Sequence, residues 1–217
     1  MHVNTTKQNG TKLESVNQFK YLGAIISDKG SHTEVLSRSA QTMTALAKLR
    51  TIWRDKNIAM KYKIRLMHAL VLSIFLYACE SWTLTAELQR KIQAVEMKCF
   101  RYILNISYLD RITNERVRQI IESHIGPHED LLATVKKRKL RWYGHTTRSS
   151  GLSKTILQGT VKGGRKRGRQ RKKWADNISE WTAKPFSETQ ALAHDRERWR
   201  EEVYSASRRR PNDTARS

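Results

Sequence analysis

The sequence predicts a mainly α fold: a helical bundle with a small β element near the N-terminus and a basic, flexible loop nearer the C-terminus. Apolar residues recur at helical spacing through most of residues 31–148. Ser31, Thr85 and Thr113 stand where helix N-caps are expected. Glycines recur between Ser149 and Arg171, which is typical of an irregular, mobile loop.

The first element is a strand. Gln18–Ser27 is rich in Phe, Tyr and Ile and ends at the turn sequence Asp28-Lys29-Gly30. Side chains alternate between the two faces of a strand, so Phe19, Tyr21 and Ile25 are predicted to share one apolar face.

Two helices are predicted next. Ser31 and Glu34 have the spacing of a capping box, which predicts a helix start there. Its apolar positions continue at helical spacing to Trp53. The second helix runs from about Ala59 to Cys79, and its nearly continuous apolar character after His68 indicates a buried element.

Three further helices and a short tail complete the bundle. A third helix is predicted after Thr85 and a fourth from Thr113 to about Glu122, which Gly126-Pro127 then interrupts. A fifth runs from about His128 to His145. Its apolar positions are Leu132, Val135, Leu140 and Trp142. One or two last helices lie between Trp174 and Tyr204.

The composition excludes several classes of protein. Two cysteines, Cys79 and Cys99, are too few for a disulfide-rich scaffold or a zinc finger, and both are expected to be buried. The polar segment from Met1 to Asn17 is unlike a signal peptide. The longest apolar run, Ala69–Cys79, is shorter than the roughly 20 residues of a membrane span.

No catalytic set is recognisable. The sequence lacks a Walker-type phosphate loop, a His-Glu-x-x-His motif and a Gly-x-Ser-x-Gly motif. His124 and His128 are four residues apart, but Gly126-Pro127 prevents them from sharing a helical face. We therefore assign no catalytic residue and no metal ligand, and we expect no cofactor.

Positive charge is the strongest signal in the sequence. The chain has 42 Lys and Arg against 20 Asp and Glu, a net charge of +22. The segment Leu131–Ala175 holds fifteen of these cations and no acidic residue, so no acid within it competes for them. Such an excess indicates a polyanionic partner, with RNA or DNA first.

The predicted nucleic-acid contacts fall in two parts of this segment. The fifth helix mixes cations with Trp142 and Tyr143, and aromatic rings beside cations suit base stacking as well as phosphate contact. The Gly-rich basic tract, defined as Val161–Lys173, lets an extended backbone align its arginines along a phosphate strand. The predicted binding residues are Lys136, Lys137, Arg138, Lys139, Arg141, Lys162, Arg165, Lys166, Arg167, Arg169, Arg171, Lys172 and Lys173.

Each feature also has a structural interpretation. The basic tract can serve as a nuclear localisation signal, which favours the nucleus, with the cytoplasm as the alternative location. Trp142 on an apolar helix face is more often a core residue than a stacking platform. His145 is interpreted as a packing or hydrogen-bonding residue.

A series of short motifs follows in order along the chain: Phe19-Lys20-Tyr21-Leu22-Gly23, Leu76-Tyr77-Ala78-Cys79-Glu80-Ser81-Trp82-Thr83, Glu96-Met97-Lys98-Cys99-Phe100-Arg101, Ile103-Leu104-Asn105-Ile106-Ser107, Asp110-Arg111-Ile112-Thr113-Asn114-Glu115, Arg138-Lys139-Leu140-Arg141-Trp142-Tyr143-Gly144-His145 and Arg167-Gly168-Arg169-Gln170 with Trp174. In this order and spacing they resemble the C-terminal part of the endonuclease–reverse transcriptases of non-LTR (LINE-type) retrotransposons. The resemblance covers about Phe19 to Val203.

The resemblance implies roles for these segments. Phe19, Tyr21, Leu22 and Gly23 match the primer grip, a hairpin that holds the primer end. The helices after it resemble the thumb, and the region from Arg138 onward resembles the segment thought to engage template RNA or target DNA. Gln170 replaces the usual Pro of the Arg-Gly-Arg-Pro element, which loosens that segment.

The resemblance also implies that parts of the polymerase are missing. The fingers, most of the palm, the catalytic aspartates and any endonuclease domain would precede Met1, and a zinc knuckle found in some relatives is absent. Two-metal phosphoryl transfer needs carboxylate ligands, so the chain alone is expected to bind nucleic acid without polymerising DNA. Without a palm, we expect the N-terminal strand to pair with residues 1–4 or to be poorly ordered.

The sequence thus divides into five segments: a palm and primer-grip remnant (1–30), a thumb-like helical domain (31–126), a basic helix (127–148), a basic Gly-rich loop (149–173) and a C-terminal helical tail (174–217). Two alternatives remain. One is a stand-alone chromatin- or RNA-associated binding protein. The other is a membrane-surface protein that inserts Ala69–Cys79, although our interpretation assigns no membrane partner.

Overall fold

The computed structural model describes residues 7–8, 11–12, 16–28, 30–158 and 171–209. The mainly α fold predicted from the sequence is confirmed. The strands are β1 (Lys7–Gln8), β2 (Thr11–Lys12), β3 (Gln18–Tyr21) and β4 (Ala24–Ser27). The helices are α1 (His32–Lys48), α2 (Arg50–Arg54), α3 (Met60–Leu66), α4 (Ser73–Phe75), α5 (Ala86–Leu104), α6 (Asn114–Ile125), α7 (Leu131–Arg148), α8 (Leu152–Gln158), α9 (Asp176–Thr182), α10 (Phe186–His194) and α11 (Arg196–Arg208).

The predicted single strand Gln18–Ser27 is instead a hairpin, in which β3 and β4 pair antiparallel. Leu22 and Gly23 form its two-residue turn, with φ of 46° and 83°. Positive φ at both positions is the geometry of a type I′ turn, whose twist suits a hairpin. Phe19 pairs with Ile26, so Ile26 rather than the predicted Ile25 shares the face of Phe19 and Tyr21.

The hairpin is anchored to the helices by hydrogen bonds, whereas the sequence led us to expect that it pairs with residues 1–4 or is poorly ordered. Residues 1–4 lie outside the described part of the chain. The buried carboxylate of Glu34 accepts a hydrogen bond from the Ile25 amide at 2.7 Å and pairs with Arg38 Nε at 2.7 Å. Arg38 also donates to the Gly23 carbonyl at 2.6 Å, and the Tyr77 hydroxyl donates to the Leu22 carbonyl.

The helix starts agree with the sequence, but one cap differs in its chemistry. Thr85 and Thr113 accept hydrogen bonds from the amides of Leu88 and Arg116, as N-caps do. Ser31 makes no cap bond to α1, although the helix begins directly after it. Its hydroxyl accepts instead from the Thr83 amide at 2.8 Å. Glu34, the other member of the predicted capping box, is used by the hairpin.

The predicted second helix is present, but it is not a uniform α-helix. Between α3 and α4 the chain forms a π-helical segment, Met67–Leu72, and it reaches a left-handed residue at Ala78. Val71, Phe75 and Cys79 are fully buried, whereas Leu70 and Tyr77 are exposed, so the bundle buries one face of the apolar run. Among the described residues, no helix is long and apolar enough to cross a membrane.

One hydrophobic cluster connects the first helix to the last, from Val35 to Ala206. At its C-terminal end α7 packs against α10 and α11 through the rings of Tyr143 and Trp199, 5.4 Å apart. Gly144 makes this contact possible, because a Cβ at that position would lie 2.2 Å from Trp199 Nε1. The Trp199 indole donates a hydrogen bond to the Leu140 carbonyl at 3.1 Å, and this bond fixes the position of the ring against α7.

Two expectations for the C-terminal third need correction. The predicted irregular loop, residues 149–171, contains α8 at its start, and residues 159–170 lie outside the described part of the chain. The one or two helices expected after Trp174 are three: α9, α10 and α11. Left-handed Ala183 followed by Pro185 ends α9, and Asp195 caps α11.

Candidate nucleic-acid interface

The basic helix α7 divides its side chains between the core and the surface. Leu132, Val135, Leu140 and Tyr143 are buried, whereas Arg138, Arg141, Trp142 and His145 are exposed. The four exposed residues have the spacing i, i+3, i+4, i+7, which is one face of a helix. We call them the outer stripe.

Lys136 and Lys139 were predicted to bind nucleic acid, and the structure corrects their placement. Their exposed fractions are 3% and 0%. The Lys136 ammonium donates to the Arg209 carbonyl at 2.9 Å, and that of Lys139 donates to the Trp82 carbonyl at 2.7 Å. Neither side chain can reach a phosphate while the core is intact, because both point to the buried side of α7.

Lys139 is held in a closed polar cluster. Its ammonium also donates to Asn177 Oδ1 at 2.9 Å, and the same oxygen accepts from the Leu84 amide at 2.7 Å. The Nζ atom lies 4.4 Å from the ring centre of Trp174. Burial lowers the pKa of Lys139 to about 6, because a charged ammonium loses its hydration there. This lysine joins three elements of the core.

Several of the remaining predicted cations have protein partners. Lys137 pairs with Glu129 at 3.0 Å, and Lys172 pairs with Glu180. The segment Leu131–Ala175 contains no acidic residue, but acidic side chains just outside it still pair with its cations and so compete with a nucleic-acid partner. Arg138 donates to the Leu76 carbonyl at 3.0 Å, and Arg171 donates to the Asp28 carbonyl at 2.6 Å.

Arg141, His145 and Lys173 are the most available of these groups. All three are exposed, and no hydrogen bond or ion pair joins their side chains to another described residue. The remaining predicted cations of the tract, Lys162, Arg165, Lys166, Arg167 and Arg169, lie outside the described residues.

An aromatic pair lies beside the outer stripe. Trp142, interpreted from the sequence as a core residue, is 40% exposed, and the neighbouring Tyr143 is the core residue instead. The Trp142 ring meets Trp174 edge to face, 5.3 Å between centres. Trp174 is fixed by a hydrogen bond from its Nε1 to the Glu80 carbonyl, 2.8 Å. The exposed Lys173 is next in sequence to Trp174.

Sequence reasoning missed two members of this surface. His145 was interpreted as a packing or hydrogen-bonding residue and lies exposed at the end of the outer stripe. Trp174 was noted only as part of a motif. The outer stripe could have been found from the sequence, because residues 138, 141, 142 and 145 have the spacing of one helical face. No local pattern links Trp174 to α7.

With this geometry in place, comparisons with known proteins give one similarity. Over 141 residues, 64% of the chain, the sequence is 26% identical to a transposon-derived protein of Caenorhabditis elegans. This similarity suggests a transposon origin. The chain spans about half (49%) of that relative's length. No protein-family model matches the sequence, and no solved structure matches it.

The residues that resemble a primer grip form a second exposed surface. Phe19, Tyr21 and Leu22 are exposed at the tip and one face of the hairpin, and the rings of Phe19 and Tyr21 stack with centres 6.3 Å apart. Gly23 supplies the positive φ of the turn and the carbonyl that Arg38 holds. The hairpin therefore presents an aromatic face on a fixed base.

Neither cysteine is placed for chemistry. Cys79 and Cys99 are fully buried, as predicted. Burial raises the pKa of each thiol to about 12, so both are protonated and unreactive at neutral pH.

Proposed function

We propose that the chain is the nucleic-acid-binding C-terminal part of a non-LTR retrotransposon reverse transcriptase, which contacts a template–primer duplex or target DNA. The observation that carries the proposal is the outer stripe with its neighbours Trp174 and Lys173. It combines exposed cations and an exposed indole on one face of a rigid helix.

Two kinds of contact follow from these groups. Arg141 and Lys173 neutralise phosphates, which gives affinity with little sequence preference. Trp142 offers a ring face to an unpaired base, which suits a strand end or a bulge better than a continuous duplex. Its position on α7 is fixed because Tyr143, directly adjacent, packs into the core.

The hairpin supports the same assignment. Its exposed aromatic face fits a part that rests against another domain or against a primer end, as the resemblance to a primer grip implies. The 26% identity to a transposon-derived protein is consistent with this origin. As an alternative, the outer stripe also suits a stand-alone chromatin- or RNA-associated protein, and the binding experiment below applies to it equally.

The experiment measures binding to a primer–template hybrid and to single-stranded RNA over a salt series. The test variant combines Arg141→Gln, Trp142→Ala and Lys173→Gln, and it keeps Arg138 because that side chain holds the Leu76 carbonyl. If both cations meet duplex phosphates, the slope of log affinity against log salt becomes shallower by about 2. Loss of Trp142 costs roughly 1–3 kcal/mol on single strands if one base stacks there.

A matched control replaces two exposed lysines on other elements, Lys56→Gln and Lys98→Gln, and should leave the slope close to that of the wild type. An equal loss of affinity in the test and control variants would mean that binding depends only on overall charge. This result would overturn the assignment of the outer stripe.

The basic tract has its own test. A seven-fold variant replaces Arg165, Lys166, Arg167, Arg169, Arg171, Lys172 and Lys173 with Gln. If about five of them meet phosphates, they supply a slope of roughly −4 to −5, which this variant should remove while the helical content stays nearly constant. An unchanged slope would place the binding site on the helical body alone.

A further inference from the structure

A histidine and two carboxylates meet where α6 is linked to α7. Glu96 projects from α5, and His128 and Asp130 come from the linker between α6 and α7. One ligand atom from each lies within 4.8 Å of the other two. We call these three residues the carboxylate–histidine cluster.

The cluster has polar atoms that are buried without a partner. Both ring nitrogens of His128 and the Oε2 atom of Glu96 have no hydrogen-bond partner among the described residues. Glu96 is fully buried, and its other oxygen accepts from the Leu131 amide at 2.6 Å. Buried polar atoms nearly always have a hydrogen-bond partner, so three unpaired polar atoms in one place need an explanation.

Asp130 gives an independent indication. It occupies the N-cap position of α7, where an aspartate normally accepts a hydrogen bond from the first turn. Its carboxylate makes no such bond. Its oxygen belongs instead to the group formed with Glu96 and His128.

We propose that Glu96, His128 and Asp130 bind a divalent transition-metal ion, with Zn²⁺ as the best fit. One imidazole nitrogen and two carboxylate oxygens are a donor set that zinc accepts, and three protein ligands leave a fourth position open. The cleft beside the cluster, about 310 Å³ in volume and lined by His128 and Asp130, lets a water reach that position.

The distances agree with this assignment. Zinc with ligand bonds of about 2.0–2.2 Å holds its ligand atoms roughly 3.3 Å apart. The observed ligand atoms lie within 4.8 Å of one another, so side-chain movements that shorten these separations by up to about 1.5 Å bring the set to coordination distance.

The charges around the cluster also agree. Burial raises the pKa of Glu96 to about 7; Asp130 acts in the same direction, and the Leu131 amide and Arg118 oppose it. A bound divalent cation would compensate the charge of both carboxylates. The cation would also tie α5 to the first turn of α7, and so fix the helix that carries the outer stripe.

The test uses the full chain, stripped with a chelator and desalted. After ZnCl₂ is added and free metal removed, the wild type should retain one equivalent of zinc more than His128→Gln or Asp130→Asn, with affinity lower in each variant by more than about 100-fold. Loss of an outer partner alone costs about 10–100-fold. Cobalt in place of zinc should give the visible absorption of a low-coordinate ion in the wild type.

Two neighbours serve as controls: His124→Gln and Glu129→Gln, which carry the same side-chain types outside the cluster. Both should bind zinc like the wild type. The proposal is overturned if the wild type shows no additional equivalent, or if the controls lose as much zinc as the cluster variants. Should His128→Gln lose its helical circular dichroism, Asp130→Asn and the cobalt spectrum of the wild type decide the matter.

Discussion

Lys139 gives the sharpest prediction about stability, because its side chain is fully buried and its ammonium has a pKa of about 6. In the unfolded chain the same group titrates near its ordinary value of 10.5. Between these two values the unfolded state holds a proton that the folded state has given up. The free energy of unfolding attributable to Lys139 therefore rises with pH across this window, and the penalty is largest at the acid end.

The size of the effect follows from one proton. A difference of one bound proton changes the free energy of unfolding by about 1.4 kcal/mol per pH unit. Between about pH 7 and about pH 8.5, Lys139 should contribute a rise of about 2 kcal/mol. This range lies below the ordinary pKa of 9.0 for the buried thiols of Cys79 and Cys99, so their titration stays small.

The substitution Lys139→Met removes the titrating group at similar volume. Urea unfolding, followed by tryptophan fluorescence at several pH values, gives the free energy of unfolding for wild type and variant. The difference between them should change by about 2 kcal/mol over this range. A control, Lys137→Met, replaces a partly exposed lysine two residues away, and its free energy of unfolding should change with pH as that of the wild type does.

Parallel curves for the wild type and Lys139→Met would refute this reasoning. They would mean that Lys139 keeps its proton in the folded protein, stabilised by the Trp82 carbonyl, Asn177 and the Trp174 ring, despite its burial.

Two further substitutions test the fold. Gly144→Ala places a methyl group against the Trp199 indole and should lower the free energy of unfolding by about 1–3 kcal/mol; an unchanged urea midpoint would mean that α11 shifts freely. Thr113→Ala removes the cap of α6 and should cost about 1 kcal/mol in the same assay, whereas Thr113→Ser should cost little. Equal losses for the two Thr113 variants would exclude the hydroxyl as the source.

Much of the helical architecture could be predicted because its signals are local. The caps at Thr85 and Thr113 and the apolar spacing depend on residues within a few positions, so both helices were located closely. The local pattern predicted a single strand, and only the resemblance to a primer grip implied a hairpin. The turn, Leu22-Gly23, carries only one glycine, and a leucine with positive φ is an unusual choice there.

The site was harder to predict, because its residues depend on distant contacts. Whether a lysine of α7 faces the core or the surface depends on Asn177 and Arg209, which lie far along the chain. Helical spacing alone separates two faces but does not tell which one is buried when both carry cations. The carboxylate–histidine cluster was missed for the same reason, since Glu96 and His128 are far apart in sequence.

The partners of α7 have a consequence for how the chain is made. The indole that covers Gly144 belongs to Trp199, and the carbonyl that holds Lys136 belongs to Arg209. The basic helix is synthesised before Trp199 and Arg209. Its buried face therefore stays uncovered until these two residues have been translated. A premature stop codon directly before Trp199 would leave Tyr143 without the Trp199 ring and Lys136 without the Arg209 carbonyl. The codons for Trp199 and Arg209 are therefore as necessary to the buried face of the basic helix as those that encode the helix itself.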